Sequence, residues 1–348
     1  MSYDEIMKNI TDGLTGDWKK DKEYLDEQSK FYRTHDLATE ILRGIGRLTS
    51  DILPPENLKE INRLFENVIL GENAVIEEAE FQHMKKNYDK ALMIIESFIK
   101  VIEPRENGYK LFQDDSVSEY HNFRNILEEA IYRKLNNPEK TIRNMRRDFD
   151  RAYLVYGTLL FELKRYYEAE EALKKAIGIN PINLEAWFEL SEIIKIRQAW
   201  EKYLEVSKHC LKIAYTSKDV GRCYRNLGFY YVKMQSFDLA ATLYDTGRIF
   251  DPEILGVGSE LFNIQQVTGK PAPILAYEEV KKMYAENDIQ YGPNITVLRL
   301  ALEIGQQAVK EEHYGIAHFL YSVVYDLTGD KDAKDMIDRL PSKENNAD

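Results

Sequence analysis

Cysteine is almost missing from this chain of 348 residues, which has only Cys210 and Cys223. Two thiols exclude a disulfide framework and suit a reducing compartment. Proline and glycine are sparse, at 10 and 18, and turn signals do not recur at the spacing of about 8–12 residues that a β-sandwich needs. No run of about 20 apolar residues is available to span a bilayer. A basic excess is lacking too. Lys and Arg number 47 against 59 Asp and Glu, for a formal charge of −12. Because phosphate binding needs a basic face, this balance argues against a nucleic-acid or anionic-membrane partner. Residues 1–13 are polar and acidic and lack the charged-then-apolar layout of a signal peptide, so a cytoplasmic location is expected.

Signatures of catalysis are also missing. The six histidines are His35, His83, His121, His209, His313 and His318, and none belongs to an HExxH arrangement. His313 and His318 are five apart, off a shared helical face, so zinc ligation is not expected. Gly44-Ile45-Gly46 lacks a third glycine and sits inside a helical pattern. There is no GxxxxGK[ST] loop, no CxxC and no GxSxG elbow. Pairs such as Asp114-Asp115 and Glu170-Glu171 are what a chain with 30% charged residues places on solvated faces. The chain is read as non-catalytic, with no cofactor and no metal. An acid–base site assembled from distant residues between the N-terminal helices and the central array is the alternative.

What the chain does have is tyrosine, 23 copies of it, and one helix-pair pattern written twice. The first copy runs Tyr153, Tyr156, Gly157, Leu160, Ala169, Leu173, Ala176, Pro181. The second starts 71 residues later and repeats the offsets: Tyr224, Leu227, Gly228, Tyr231, Ala240, Tyr244, Gly247, Pro252. Trp187 and Leu190 open a looser copy between them. Gly157 has no Cβ, so a second helix can approach closely there. Ala169 and Ala176 keep the facing side flat, and Pro181 stops the second helix. Apolar positions 169, 172, 173, 176 and 177 form a stripe at helical spacing that one hairpin cannot bury alone.

This pattern resembles the tetratricopeptide repeat, a helix pair of about 34 residues. The resemblance implies an all-α fold, a right-handed superhelix (α-solenoid) of such pairs with a helical N-terminal region. The domains are then 1–70, helical; 71–149, degenerate repeat-like helices and a connector; 150–330, the array; and 331–348, a capping helix and a disordered tail.

Taken in order, helices are expected over 3–10, 17–32, 36–52 and 56–70, with Asp17 and Asp36 as N-caps and Pro54-Pro55 as a boundary. Residues 74–104 read as a degenerate repeat. One helix is expected over about 117–135, and a long helical run after Pro138 carries Arg143, Arg146 and Arg147 on one face. The middle copy fits if about four residues are inserted near 197–202. Beyond Pro252 a loose pair covers 255–284, the motif returns over 294–327, and 331–340 is a polar cap.

In tetratricopeptide repeats the first helix of each unit lines a concave groove. Carried onto this sequence, the peptide-facing positions include Leu154, Thr158 and Phe161, then Phe188, Glu192 and Lys195, then Arg222, Arg225 and Phe229. Phe161, Phe188 and Phe229 would seat apolar side chains, while Arg222 and Arg225 would hold a carboxylate. The Lys-Asn-Asn-Lys-Arg clamp of the family's chaperone-tail receptors is not matched. Leu154, Thr158 and Glu189 stand at three of its places. The resemblance therefore implies an adaptor that binds a protein or peptide partner. The alternative is a receptor whose array changes pitch when a peptide enters.

Overall fold

The computed structural model describes residues 3–35, 37–52, 72–102, 114, 116–145 and 148–341. Asp36, Pro54-Pro55, the expected helix 56–70, Arg146, Arg147 and the tail from 342 onward lie outside them. The described chain is helical throughout apart from one two-stranded ladder, and it divides into two compact units. The first comprises residues 1–122 and 140–180, and the second residues 123–139 and 181–348.

The first unit begins with α1 (Tyr3–Asp12), α2 (Trp18–Phe31) and α3 (Ala38–Ile52). Ile6, Ile10, Leu25, Tyr32, Ile41 and Ile45 form their shared core. Asp17 caps α2, accepting from the Lys19 amide at 3.1 Å. Asp21 organises the turn before it. This carboxylate, 1% exposed, accepts from the Thr15 amide and hydroxyl at 2.6 and 2.7 Å and from the Gly16 amide at 2.8 Å. The Thr15 amide bond holds its pKa below the usual carboxylate value, with smaller help from the Thr15 hydroxyl and the Gly16 amide and against the effect of burial. A lowered folded-state pKa stabilises above the unfolded-state value, and that contribution is lost as pH falls through the folded-state value. Below about pH 4 the Thr15 and Gly16 amides should therefore lose hydrogen-exchange protection before those of the helices Glu72–Met84 and Tyr88–Ile102. In Asp21→Asn their protection should no longer depend on acid.

A hairpin follows, α4 (Glu72–Met84) and α5 (Tyr88–Ile102). Contrary to the expectation from sequence, residues 117–135 do not form one helix. Strand β1 (Ser118–His121) comes first, then α6 (Ile126–Asn136). The run after Pro138 is not helical either: it opens as strand β2 (Thr141–Asn144), parallel to β1 with Ser118 opposite Thr141. Side-chain hydrogen bonds explain the break. Asn122 donates to the Met145 carbonyl and accepts from the Phe149 amide, at 3.0 and 3.1 Å, while its own amide donates to the Ile179 carbonyl at 3.0 Å. A helix through 122 would forfeit all three. Asn125 starts α6 instead, accepting from the Glu128 amide at 3.0 Å. Arg143 therefore sits on a strand and belongs to no helical basic face.

Helices α7 (Phe149–Glu162) and α8 (Tyr166–Ile179) form the first full repeat. A Cβ on Gly157 would stand 2.7 Å from Leu173 Cγ, so the glycine is where the two helices touch. Helix α7 also packs on α4 and α5. There Arg151 donates Nε to Glu80 at 2.8 Å and Nη2 to the other carboxylate oxygen.

In the second unit, α9 (Leu184–Ile196) and α10 (Trp200–Ile213) pair, then α11 (Ser217–Lys233) and α12 (Phe237–Phe250). The shorter helices α13 (Val257–Thr268) and α14 (Tyr277–Glu286) come next. A last hairpin, α15 (Ile295–Lys310) and α16 (Tyr314–Thr328), carries the capping helix α17 (Lys331–Arg339). Asp330 caps α17, accepting from the Asp332 and Ala333 amides. Helix α6 packs on α15.

Five hairpins share one turn. The middle residue of each three-residue link is left-handed: Lys86, Lys164, Gln198, Gln235 and Glu312, with φ of 55–61°. In each, that residue's amide reaches back three residues and the next amide five, at 2.8–3.2 Å, which closes the first helix of the pair. Gln198 follows Lys164 by 34 residues and precedes Gln235 by 37. The inserted residues are therefore not at 197–202. They form an extra turn at the start of α11, which has 17 residues where α7 has 14. Among the described residues no helix is long and apolar enough to cross a membrane.

Candidate functional site

Three of the residues expected to line a groove, Leu154, Thr158 and Phe161, lie on α7 in the first unit. Leu154 is buried, at 8% exposed, and so gives support rather than a contact surface. Thr158 and Phe161 are half-buried, and the Phe161 ring meets Tyr166 at 5.6 Å.

The other six lie in the second unit, where α9 supplies Phe188, Glu192 and Lys195 and α11 supplies Arg222, Arg225 and Phe229. The expectation that Phe188 seats a partner's side chain is not met. It is 1% exposed, and the Arg222 guanidinium covers its ring 4.3 Å from the centre. Arg222 also approaches Glu189, Nη2 to Oε1, at 3.7 Å. Phe229 is placed differently. It is half-buried, its ring backed by Tyr203 and Trp200 at 6.0 and 6.2 Å. The ammonium groups of Lys195 and Lys233 stand 4.5 and 5.0 Å from its centre. Glu192 holds Lys195 at 2.9 Å. The result is an apolar seat with a cationic rim, carried on helices.

The packing of α11 on α12 fixes the positions of these groups. A Cβ on Gly228 would lie 2.8 Å from the Tyr244 ring, so the glycine brings α11 down onto α12. Residues 150–183, the α7–α8 hairpin with its flanks, match the family model for the tetratricopeptide repeat. Residues 150–183 are a tetratricopeptide repeat. A crystallised tetratricopeptide repeat protein from Parabacteroides merdae is similar over 97% of both chains, at 11% identity and a TM-score of 0.29. One chain of the APC/C hetero-tetramer Cut9-Hcn1 is similar over 90% of this chain and 59% of that chain, at 11% identity and a TM-score of 0.32. Likeness at that level adds nothing to what the helix pairs themselves establish. No curated protein matches in sequence.

The helices of the second unit also hold a set of polar groups that the repeat pattern does not announce. Tyr203 on α10 and Tyr244 on α12 are fully buried, and neither hydroxyl has a hydrogen-bond partner. The Nε of Arg222 is also buried without an acceptor. Burial raises the Tyr203 pKa well above the usual phenol value, Glu192 adds to this, and Arg225 and Arg222 oppose it. Burial likewise raises Tyr244, with Glu260 and Tyr203 adding and Arg225 opposing. Among the described residues no group of three or more His, Cys, Asp or Glu side chains is gathered as a metal would require. Both thiols are buried and free, and burial pushes both upward in pKa, so neither is a ready nucleophile.

Proposed function

We propose that this tetratricopeptide-repeat chain is a non-catalytic adaptor of the cytoplasm. It holds a segment of a protein or peptide partner on the face formed by α9 and α11. The observation that supports this reading is Phe229, an aromatic ring left partly open between two ammonium groups. Anchors of this kind carry most of the energy of an interface. Because regular helices hold the anchor in place, binding costs little reorganisation.

A phage-displayed random peptide library selected on the full-length chain tests this. Enriched peptides should bind the wild type, and Phe229→Ala should weaken them at least about tenfold without lowering the melting temperature by more than a few degrees. If no peptide is enriched, the adaptor reading fails. Peptides that bind Phe229→Ala as well as the wild type would show that this face is not the one used.

A further inference from the structure

Three hairpins bring their helices together at a glycine of the first helix: Gly157 against Leu173, Gly228 against Tyr244 and Gly305 against Tyr321. Helix α13 departs from this. Phe262 follows Gly228 by 34 residues, one repeat length, so a phenyl ring stands where a contact glycine would. The next helix, α14, does not close on it and is held on α12 instead, where the buried Tyr284 hydroxyl donates to the Thr242 carbonyl at 3.1 Å.

Helix α13 itself packs on α12 and buries Val257 and Ile264, but the side that carries Phe262 is open. The ring is 59% exposed, and Leu255, at the entry to the helix, is 83% exposed. One turn before Phe262, a Cβ on Gly258 would meet nothing within 4 Å, so the surface beside the ring is unobstructed. Apolar side chains left out in this way mark an interaction surface. The charge around them has one sign. Residues 249–269 include Asp251, Glu253 and Glu260 and no lysine or arginine. Among the described residues none of these three carboxylates makes an ion pair, and the preceding cation, Arg248, turns to Asp245 at 3.5 Å. A cationic partner complements this face, whereas a second copy of the chain would set like charges against each other.

We propose that the open side of α13 docks a basic amphipathic helix of a partner protein. Its apolar stripe packs on Leu255 and Phe262, and its lysines or arginines face Asp251, Glu253 and Glu260. A helix is the fitting shape because α13 is the first helix of a pair that lacks its second, and helices pack along one another by seating side chains in grooves. The inference goes beyond the adaptor reading and uses none of the residues of the α9 and α11 face.

A labelled leucine–lysine peptide of about 18 residues, five helical turns with one apolar face, tests this by titration into the full-length chain. It should bind at least about tenfold more tightly than an isomer of the same composition without the apolar stripe, and than a leucine–glutamate peptide of the same pattern. Phe262→Ser and Leu255→Ser should each weaken it about tenfold without lowering the melting temperature, since both side chains are exposed. Glu253→Gln with Glu260→Gln should weaken it severalfold and flatten the dependence of its affinity on salt. Phe229→Ala should leave it unchanged. Binding that survives in Phe262→Ser, binding shared equally by the unpatterned isomer, or no binding at all would overturn the proposal. A loss in Phe229→Ala would overturn it too, by moving the peptide to the α9 and α11 face. A wild type that sediments as a dimer while Phe262→Ser is a monomer would assign the surface to a second copy instead.

Discussion

Gly221→Val should destabilise the second unit by about 3 kcal/mol. It should lower that unit's urea midpoint without changing the slope of its transition. Helices α11 and α12 cross at Gly221 and Gly247 with backbone against backbone. A Cβ at 221 would lie 2.8 Å from Asp251 Cβ and 3.1 Å from the Gly247 carbonyl oxygen, and one at 247 would lie 3.1 Å from the Gly221 oxygen. Neither carbonyl can swing away, because each belongs to a helix ladder. The added side chain therefore has to push the two helices apart, and every buried pair along the crossing loosens with it, Gly228 against Tyr244 among them. Gly178→Ala is the matched control. That glycine is exposed on α8 with nothing near the position of an added Cβ, and alanine there should gain about 0.5–1 kcal/mol from helix propensity.

The next largest effect is expected at Tyr224, where two successive substitutions separate the ring from its hydroxyl. The ring is fully buried, stacked on Phe250 and tilted against Tyr284, each at 6.0 Å. Its hydroxyl donates to the Gln290 carbonyl at 2.8 Å and accepts from the Gly292 amide at 2.6 Å. Tyr224→Phe keeps the ring but leaves a buried amide and a carbonyl without their partner, at a cost of about 2 kcal/mol. Tyr224→Ala removes the ring too and should cost about 4 kcal/mol or more. Hydrogen exchange gives the finer check. In Tyr224→Phe the Gly292 amide should exchange faster while the amides of α12 keep their protection.

Tyr224 also shows how much of this protein its sequence made legible. As the aromatic opening a repeat, it was readable by offset alone, and so were Gly157, Ala169 and Leu173. These residue types are required because two helices in contact leave room for nothing larger. The hydroxyl's link to residues 290 and 292 was not readable. Its partners lie more than 60 residues away in a connection whose sequence matches no repeat. The five left-handed turn residues escaped notice for a different reason: Lys, Gln and Glu are poor markers of positive φ, so the hairpins at 72–102 and 184–213 stood out only by their helices.

For the expected binding residues, spacing identified the helices that carry them, α7, α9 and α11, but not which side chains remain open. Phe188 and Phe229 hold equivalent expectations, yet Arg222 closes over Phe188 while Phe229 stays partly open between two lysines. That difference depends on the side chains that neighbouring helices bring to each ring. Tyr203 is hidden for the same reason. It comes from the second helix of its pair, and its orphaned hydroxyl becomes visible only when α10, α11 and α12 are assembled.

From the sequence alone came the helix pairs, their order and the small residues at their contacts, because those follow from local periodicity and from the volume two touching helices allow. The ladder formed by β1 and β2, the true place of the inserted turn, and the sorting of candidate residues into supports and open seats were decided by the tertiary structure. Each depends on which distant atoms satisfy a hydrogen bond or cover a ring, and spacing along the chain does not encode that.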